Sequence, residues 1–107
     1  MTPARLLFIN VLTNITIFCD CWGMSTPALV PDVGILAGRN IVAVENATLD
    51  KIKASKLLKE GLPKGRKLAR KTGHLFERIH GKDPYVQVRK MDELGFGPRD
   101  YRIVEVK

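Results

Sequence analysis

Cys19, Cys21, His74 and His80 are the side chains of this 107-residue sequence best suited to metal or redox chemistry. Two thiolates and two neutral imidazoles make a full donor set for tetrahedral zinc, so these four residues form a candidate metal site. The C-x-C spacing is tighter than that of the usual structural zinc site. Residues six apart on a regular helix point about 120° from one another, so His74 and His80 converge only if the helix breaks between or beside them. A Cys19–Cys21 disulfide would be strained, because extended backbone holds α-carbons two residues apart at about the upper limit of bridge geometry. Two cysteines fall short of a four-cysteine iron-sulfur cluster. Zinc, a cluster shared across an interface, and two reduced, partly buried thiols all stay open. A cysteine-dependent enzyme with a thiol activated by His74 or His80 is a further alternative. Asp20 opposes it, since a neighbouring carboxylate disfavours the thiolate.

A different chemistry is written in residues 51–71, where Lys51, Lys53, Lys56, Lys59, Lys64, Arg66, Lys67, Arg70 and Lys71 face one acidic residue, Glu60. This stretch holds the whole +7 excess of the chain. Such a cluster can attract a polyanion or a nucleic-acid backbone in a salt-sensitive way, and Lys64, Arg66, Lys67, Arg70 and Lys71 are its candidate contacts. No aromatic residue lies among them to stack bases, and a solvated helix-and-loop surface explains the same charges. The sequence carries no P-loop, dinucleotide fingerprint or metalloprotease helix motif. Arg39 beside a helix start at Asn40 offers a generic anion site and nothing more specific.

The elements that must position these groups are legible from periodicity. Residues 5–12 (RLLFINVL) form a continuous apolar run, which predicts a central strand buried on both faces. Residues 13–31 dissolve into Asn, Thr, Asp, Gly, Ser and Pro, a long irregular loop of the kind that often carries function. Residues 33–37 (VGILA) predict a second buried strand. Asn40 caps a helix whose apolar face is Ile41, Val44, Thr48, Leu49 and Ile52 and which ends at Gly61 and Pro63. A shorter helical piece surrounds Leu75, Phe76 and Ile79. Asp83-Pro84 opens a third helix, with Tyr85, Val88, Met91 and Leu94 on its apolar side and Gly95 as its stop. Residues 101–106 (YRIVEV) predict a closing strand. The expected class is α/β: a small sheet of about three or more strands covered by helices, with a long irregular loop after the first strand, all in one domain spanning 1–107.

Composition narrows the setting. The 45% hydrophobic and 27% charged fractions are those of a globular protein. Asn10, Thr13, Asn14 and Thr16 interrupt the apolar stretch 6–19 well short of the roughly 20 residues needed to span a bilayer. No A-x-A-like cleavage site follows, and the Asn14 and Asn46 glycosylation patterns have no other secretory feature beside them. The reading is a cytoplasmic protein with no membrane association.

Several separated blocks, NVLTNIT, CDCWGMSTPALVPDVGIL, IVAVENATLD, GHLFERIHGKDPYVQ and ELGFGPRDYRIVEV, together resemble the C-terminal portion of a family of uncharacterised iron-sulfur-centre proteins whose members usually carry a ferredoxin-like insert. The resemblance covers nearly the full length. It implies an N-terminal α/β portion and ferredoxin-type cysteine runs in longer relatives. Those runs are absent from this sequence, and Cys19 and Cys21 match the C-D-C-W block instead, so the family's clusters do not transfer to them. Where many relatives have Asp-Pro, this chain has Asn40-Ile41, and either pair can start a helix. The resemblance implies an accessory domain in redox or metal-linked chemistry, working with an N-terminal partner polypeptide or as a homo-oligomer. An apolar face or sheet edge should then stand uncovered.

Overall fold

The computed structural model describes residues 6–17, 26–63 and 68–106. Two strands, β1 (Phe8–Leu12) and β2 (Gly34–Gly38), pair antiparallel with Phe8 opposite Gly38 and Leu12 opposite Gly34. Helix α1 (Ile41–Ala54) follows β2 directly and packs across one face of the pair. A 3-10 turn at Lys59–Gly61 and two short helices, α2 (Leu75–His80) and α3 (Val86–Glu93), complete the described elements. The architecture is a small mixed α/β fold, as the periodicity predicts.

The strands depart from expectation in how they are covered. Phe8, Asn10 and Leu12 turn toward α1, while Leu7, Ile9 and Val11 stand exposed. An apolar run on both faces reads as a doubly buried strand, yet among the described residues α1 covers one face and leaves the other exposed. Asn10, the polar residue in that run, explains the orientation: its amide donates to Glu45 Oε1 and Thr48 Oγ1, both at 2.9 Å, tying β1 to α1. Thr48 Oγ1 in turn donates to the Val44 carbonyl at 2.8 Å.

Helix α1 begins as predicted, with Asn40 Oδ1 accepting the Val42 amide at 3.1 Å. It stops earlier than Gly61 and Pro63 predict. Ser55 leaves the helical region, its amide donates to the Ile52 carbonyl and its hydroxyl to the Lys51 carbonyl. Its buried residues are Val42, Val44, Ala47 and Ile52, so Val42 takes the core position expected of Ile41. Gly61 serves a different purpose, because a Cβ there would lie 2.5 Å from the Ala28 carbonyl oxygen. The 3-10 turn therefore rests backbone against backbone on the segment after β1.

That segment supplies much of the core although its described residues form no strand. Leu29 and Val30 are fully buried and pack with Leu12, Ile17, Ile52, Leu75 and Ile79. Their backbone is held by Leu29 N to Ile15 O and Leu58 N to Leu29 O, both 2.6 Å, which satisfies amides that burial removes from water. The predicted loop is thus functional scaffold at its two ends, with residues 18–25 outside the described set.

The third predicted strand is absent among the described residues. Residues 101–106 are exposed, adopt no regular secondary structure, and hydrogen-bond to neither strand. Helix α3 also starts later than Asp83-Pro84 predicts, at Val86. Asp83 Oδ1 accepts the Tyr85 amide at 2.9 Å and so stabilises the turn ahead of the helix, while Gly95, at φ +81°, ends it as expected.

Candidate functional site

The two histidines sit at opposite ends of α2 and have different surroundings. His74 is buried, 2% exposed, and is the N-cap of the helix: its Nδ1 accepts the Phe76 amide at 3.0 Å. That fixes the tautomer, so Nε2–H donates to the Leu49 carbonyl at 2.7 Å. Burial pulls its pKa below the ordinary 6.5, while the Leu49 carbonyl opposes that shift. Both ring nitrogens are engaged, and ligation by His74 would cost one of these hydrogen bonds. Phe76 and Tyr85 flank the ring, Tyr85 edge-on at 5.4 Å between centroids.

His80, by contrast, is exposed and closes α2 ahead of Gly81, whose φ of +74° suits a glycine C-cap. Its Nε2 lies 3.2 Å from the Ile17 carbonyl oxygen. Ile17 is the last described residue before the C-D-C-W segment, so His80 stands at the root of that segment. Cys19 and Cys21 themselves lie outside the described residues. Thr16, Ile17, Phe76, His80, Asp83 and Pro84 line a shallow hollow of about 350 Å³ beside this root. Among the described residues no group of three or more His, Cys, Asp or Glu side chains is placed to hold a metal ion.

Of the candidate polyanion contacts, Lys64, Arg66 and Lys67 lie outside the described residues, while Arg70 and Lys71 are exposed. Arg70 is committed elsewhere: Nη1 meets Glu77 Oε1 at 2.8 Å, Nη2 donates to the Gly81 carbonyl at 3.3 Å, and its amide donates to the Arg78 carbonyl. It braces the approach to α2. Lys53, Lys56 and Lys59 project into solvent from the end of α1 and the segment after it.

Two further features join distant positions, and the first of them escapes sequence reasoning. The first is a carboxylate shared by two phenols: Tyr85 Oη donates to Asp50 Oδ1 at 2.7 Å and Tyr101 Oη to Asp50 Oδ2 at 2.6 Å. Burial and the Asp50 bond hold the Tyr85 hydroxyl well above its ordinary pKa. The Asp50 bond, aided by burial, pushes that of Tyr101 up to about 12. Separations of 35 and 51 residues leave no local pattern to read.

The second is the uncovered face of the sheet, where Leu7, Ile9, Val11 and Ile35 are 63%, 57%, 62% and 67% exposed. Val11 is opposite Ile35 and Ile9 opposite Ala37, so these side chains form one contiguous apolar surface. Beside it, β2, α1 and residues 100–106 enclose a groove of about 720 Å³. No helix among the described residues is long and apolar enough to cross a membrane. Comparison of the chain with protein families, with curated proteins and with solved structures finds no match.

Proposed function

We propose that this chain is an accessory domain of the iron-sulfur-centre type, docked through the open face of β1 and β2 on an α/β polypeptide corresponding to the N-terminal portion of the longer proteins it resembles. The exposed surface of Leu7, Ile9, Val11 and Ile35 carries the reading. Strands alternating apolar-in and apolar-out are built to be covered twice, and α1 covers them once. Each partly exposed aliphatic side chain buried on docking contributes at most about 1–2 kcal/mol, and the lost freedom of association offsets much of that, so these four favour docking but need further contacts from the partner for stable attachment.

In this reading Cys19, Cys21 and His80 supply this chain's donors to a redox or metal-linked centre, zinc or a shared iron-sulfur cluster, and the partner completes the set. The hydrogen-bond distance between His80 and Ile17 supports placing His80 with the cysteines rather than His74, which caps α2 from the core. The described part of the basic segment favours no second reading, because Arg70 is spent on Glu77 and Gly81.

Light scattering on Ile9→Lys and Val11→Glu variants, with circular dichroism as a folding control, tests the docking. The native chain should associate with itself or capture the N-terminal α/β polypeptide, and either variant should remain folded and lose that capacity. A monodisperse native chain that ignores the polypeptide would sink the proposal. Metal analysis of the assembled complex purified without oxygen tests the centre: substitution of Cys19 or Cys21 by Ser should abolish bound metal, whereas His74→Asn should spare it.

A further inference from the structure

Residues 101–106 begin as a tethered segment and continue as a free one. Asn40 Nδ2 donates to the Pro98 carbonyl at 2.9 Å, Asn46 Nδ2 to the Arg99 carbonyl at 3.1 Å, and Tyr101 Oη to Asp50. Three side chains of α1 and its cap thus lead the segment along the helix from its first turn to its third. Beyond Tyr101 the backbone of the described residues makes no hydrogen bond with the rest of the molecule. The outer edge of β2 is likewise unpaired, since β1 is its only neighbour among the described strands. Between these two edges runs the 720 Å³ groove, with Ala43 and Ala47, two small side chains of α1, in its lining.

A free strand edge on β2, a facing segment whose backbone donors and acceptors are unmet, a groove between them and a sequence rich in Tyr, Ile and Val describe a strand held next to its place. We propose that residues 101–106 are a strap that closes on the free edge of β2 as a third strand. The phenol bond to Asp50 fixes its facing: Tyr101 points to α1, so Ile103 and Glu105 share that side and Arg102, Val104 and Val106 take the other. The exposures agree, 40% and 44% for Tyr101 and Ile103 against 69% and 90% for Val104 and Val106. Closure brings Glu105 to the side of Lys51, which also lines the groove, and forms an ion pair there. It adds Val104 and Val106 to the apolar face of Ile9, Val11 and Ile35. The strap therefore covers an exposed sheet edge and enlarges the surface assigned above to docking.

Amide hydrogen exchange on the full chain, dilute and concentrated and with Ile9→Lys present to exclude the docking face, tests closure apart from docking. The amides of residues 35–38 that face away from β1, and alternate amides within 102–106, should exchange at least about tenfold more slowly than in an unstructured peptide, equally at both concentrations. Lys51→Glu should return them toward peptide rates, and adding Glu105→Lys should restore the protection. Peptide-like rates at residues 102–106 and at the outward-facing amides of β2 would overturn the proposal, as would protection that appears only in concentrated solution, the signature of a strand lent by a second copy. Protection untouched by Lys51→Glu would overturn the assigned facing of Glu105.

Discussion

His74 decides how α2 starts, and it can do so only while neutral, because a protonated Nδ1 cannot accept the Phe76 amide. Its folded-state pKa lies below the ordinary 6.5, so the unfolded chain binds the proton more readily. The stability it contributes is full above about pH 6.5 and falls as pH drops from there toward the folded-state value, by at most about 1.4 kcal/mol per pH unit. Urea midpoints measured between pH 7 and pH 5 should show this decline, and His74→Asn, which keeps a capping oxygen, should remove it. Asp83, whose carboxyl is held below the ordinary 3.8 by the Tyr85 amide and Arg89, acts only in a lower window, its contribution vanishing as pH falls beneath that value. The Asp50 cluster follows hydrogen-bond arithmetic. Tyr85→Phe should lower stability by about 1 kcal/mol, as a typical buried bond does. Tyr101→Phe should cost less globally yet loosen the segment that follows it, visible as faster exchange of the Arg102 and Ile103 amides.

Among the elements, α1 organises the molecule. Its cap, Asn40, closes the first turn through Val42 and also holds the Pro98 carbonyl, so one side chain joins the helix start to the chain after α3. Asn40→Ala should destabilise by about 1–2 kcal/mol in chemical denaturation. Gly97 packs directly beneath that cap at φ +147°, and a Cβ there would collide with the Asn40 amide group. Gly97→Ala should therefore be as damaging as loss of the cap. With Asn40→Ala already present it should cost less, and a double-mutant cycle would read the coupling. Strand β1 shows why pattern alone misjudges coverage. Its alternation of Phe8, Asn10 and Leu12 against Leu7, Ile9 and Val11 is apolar on both sides but for Asn10, and the number of layers available to bury it is a property of the whole fold.

At the scale of the molecule, charge and apolar surface are arranged separately. The described strands β1 and β2 themselves contain no charged residue, whereas Lys53, Lys56 and Lys59 lie in solvent beyond the core of α1. Long-range attraction of this kind is screened within about a Debye length, near 10 Å at 0.1 M salt. The chain should bind a heparin column at low ionic strength and elute at modest salt, and charge reversal of Lys53, Lys56 and Lys59 should advance the elution. Retention at high salt would indicate a built polyanion site instead. Reversal of Arg70 should have a second effect, a small loss of stability, because its partner Glu77 on α2 is left unpaired.

The sequence by itself determined what short-range physics controls: an α/β order of elements, the Asn40 cap, the Gly95 stop, and the two apolar runs that become β1 and β2. Each depends on backbone preferences or periodicities spanning a few residues. Tertiary structure alone decided that His74 is a buried cap while His80 reaches the root of the cysteine segment, that Asp50 gathers two tyrosines, and which face of the sheet is left open. Those outcomes join residues tens of positions apart, and no local pattern records which distant chain arrives to complete a hydrogen bond or cover a face.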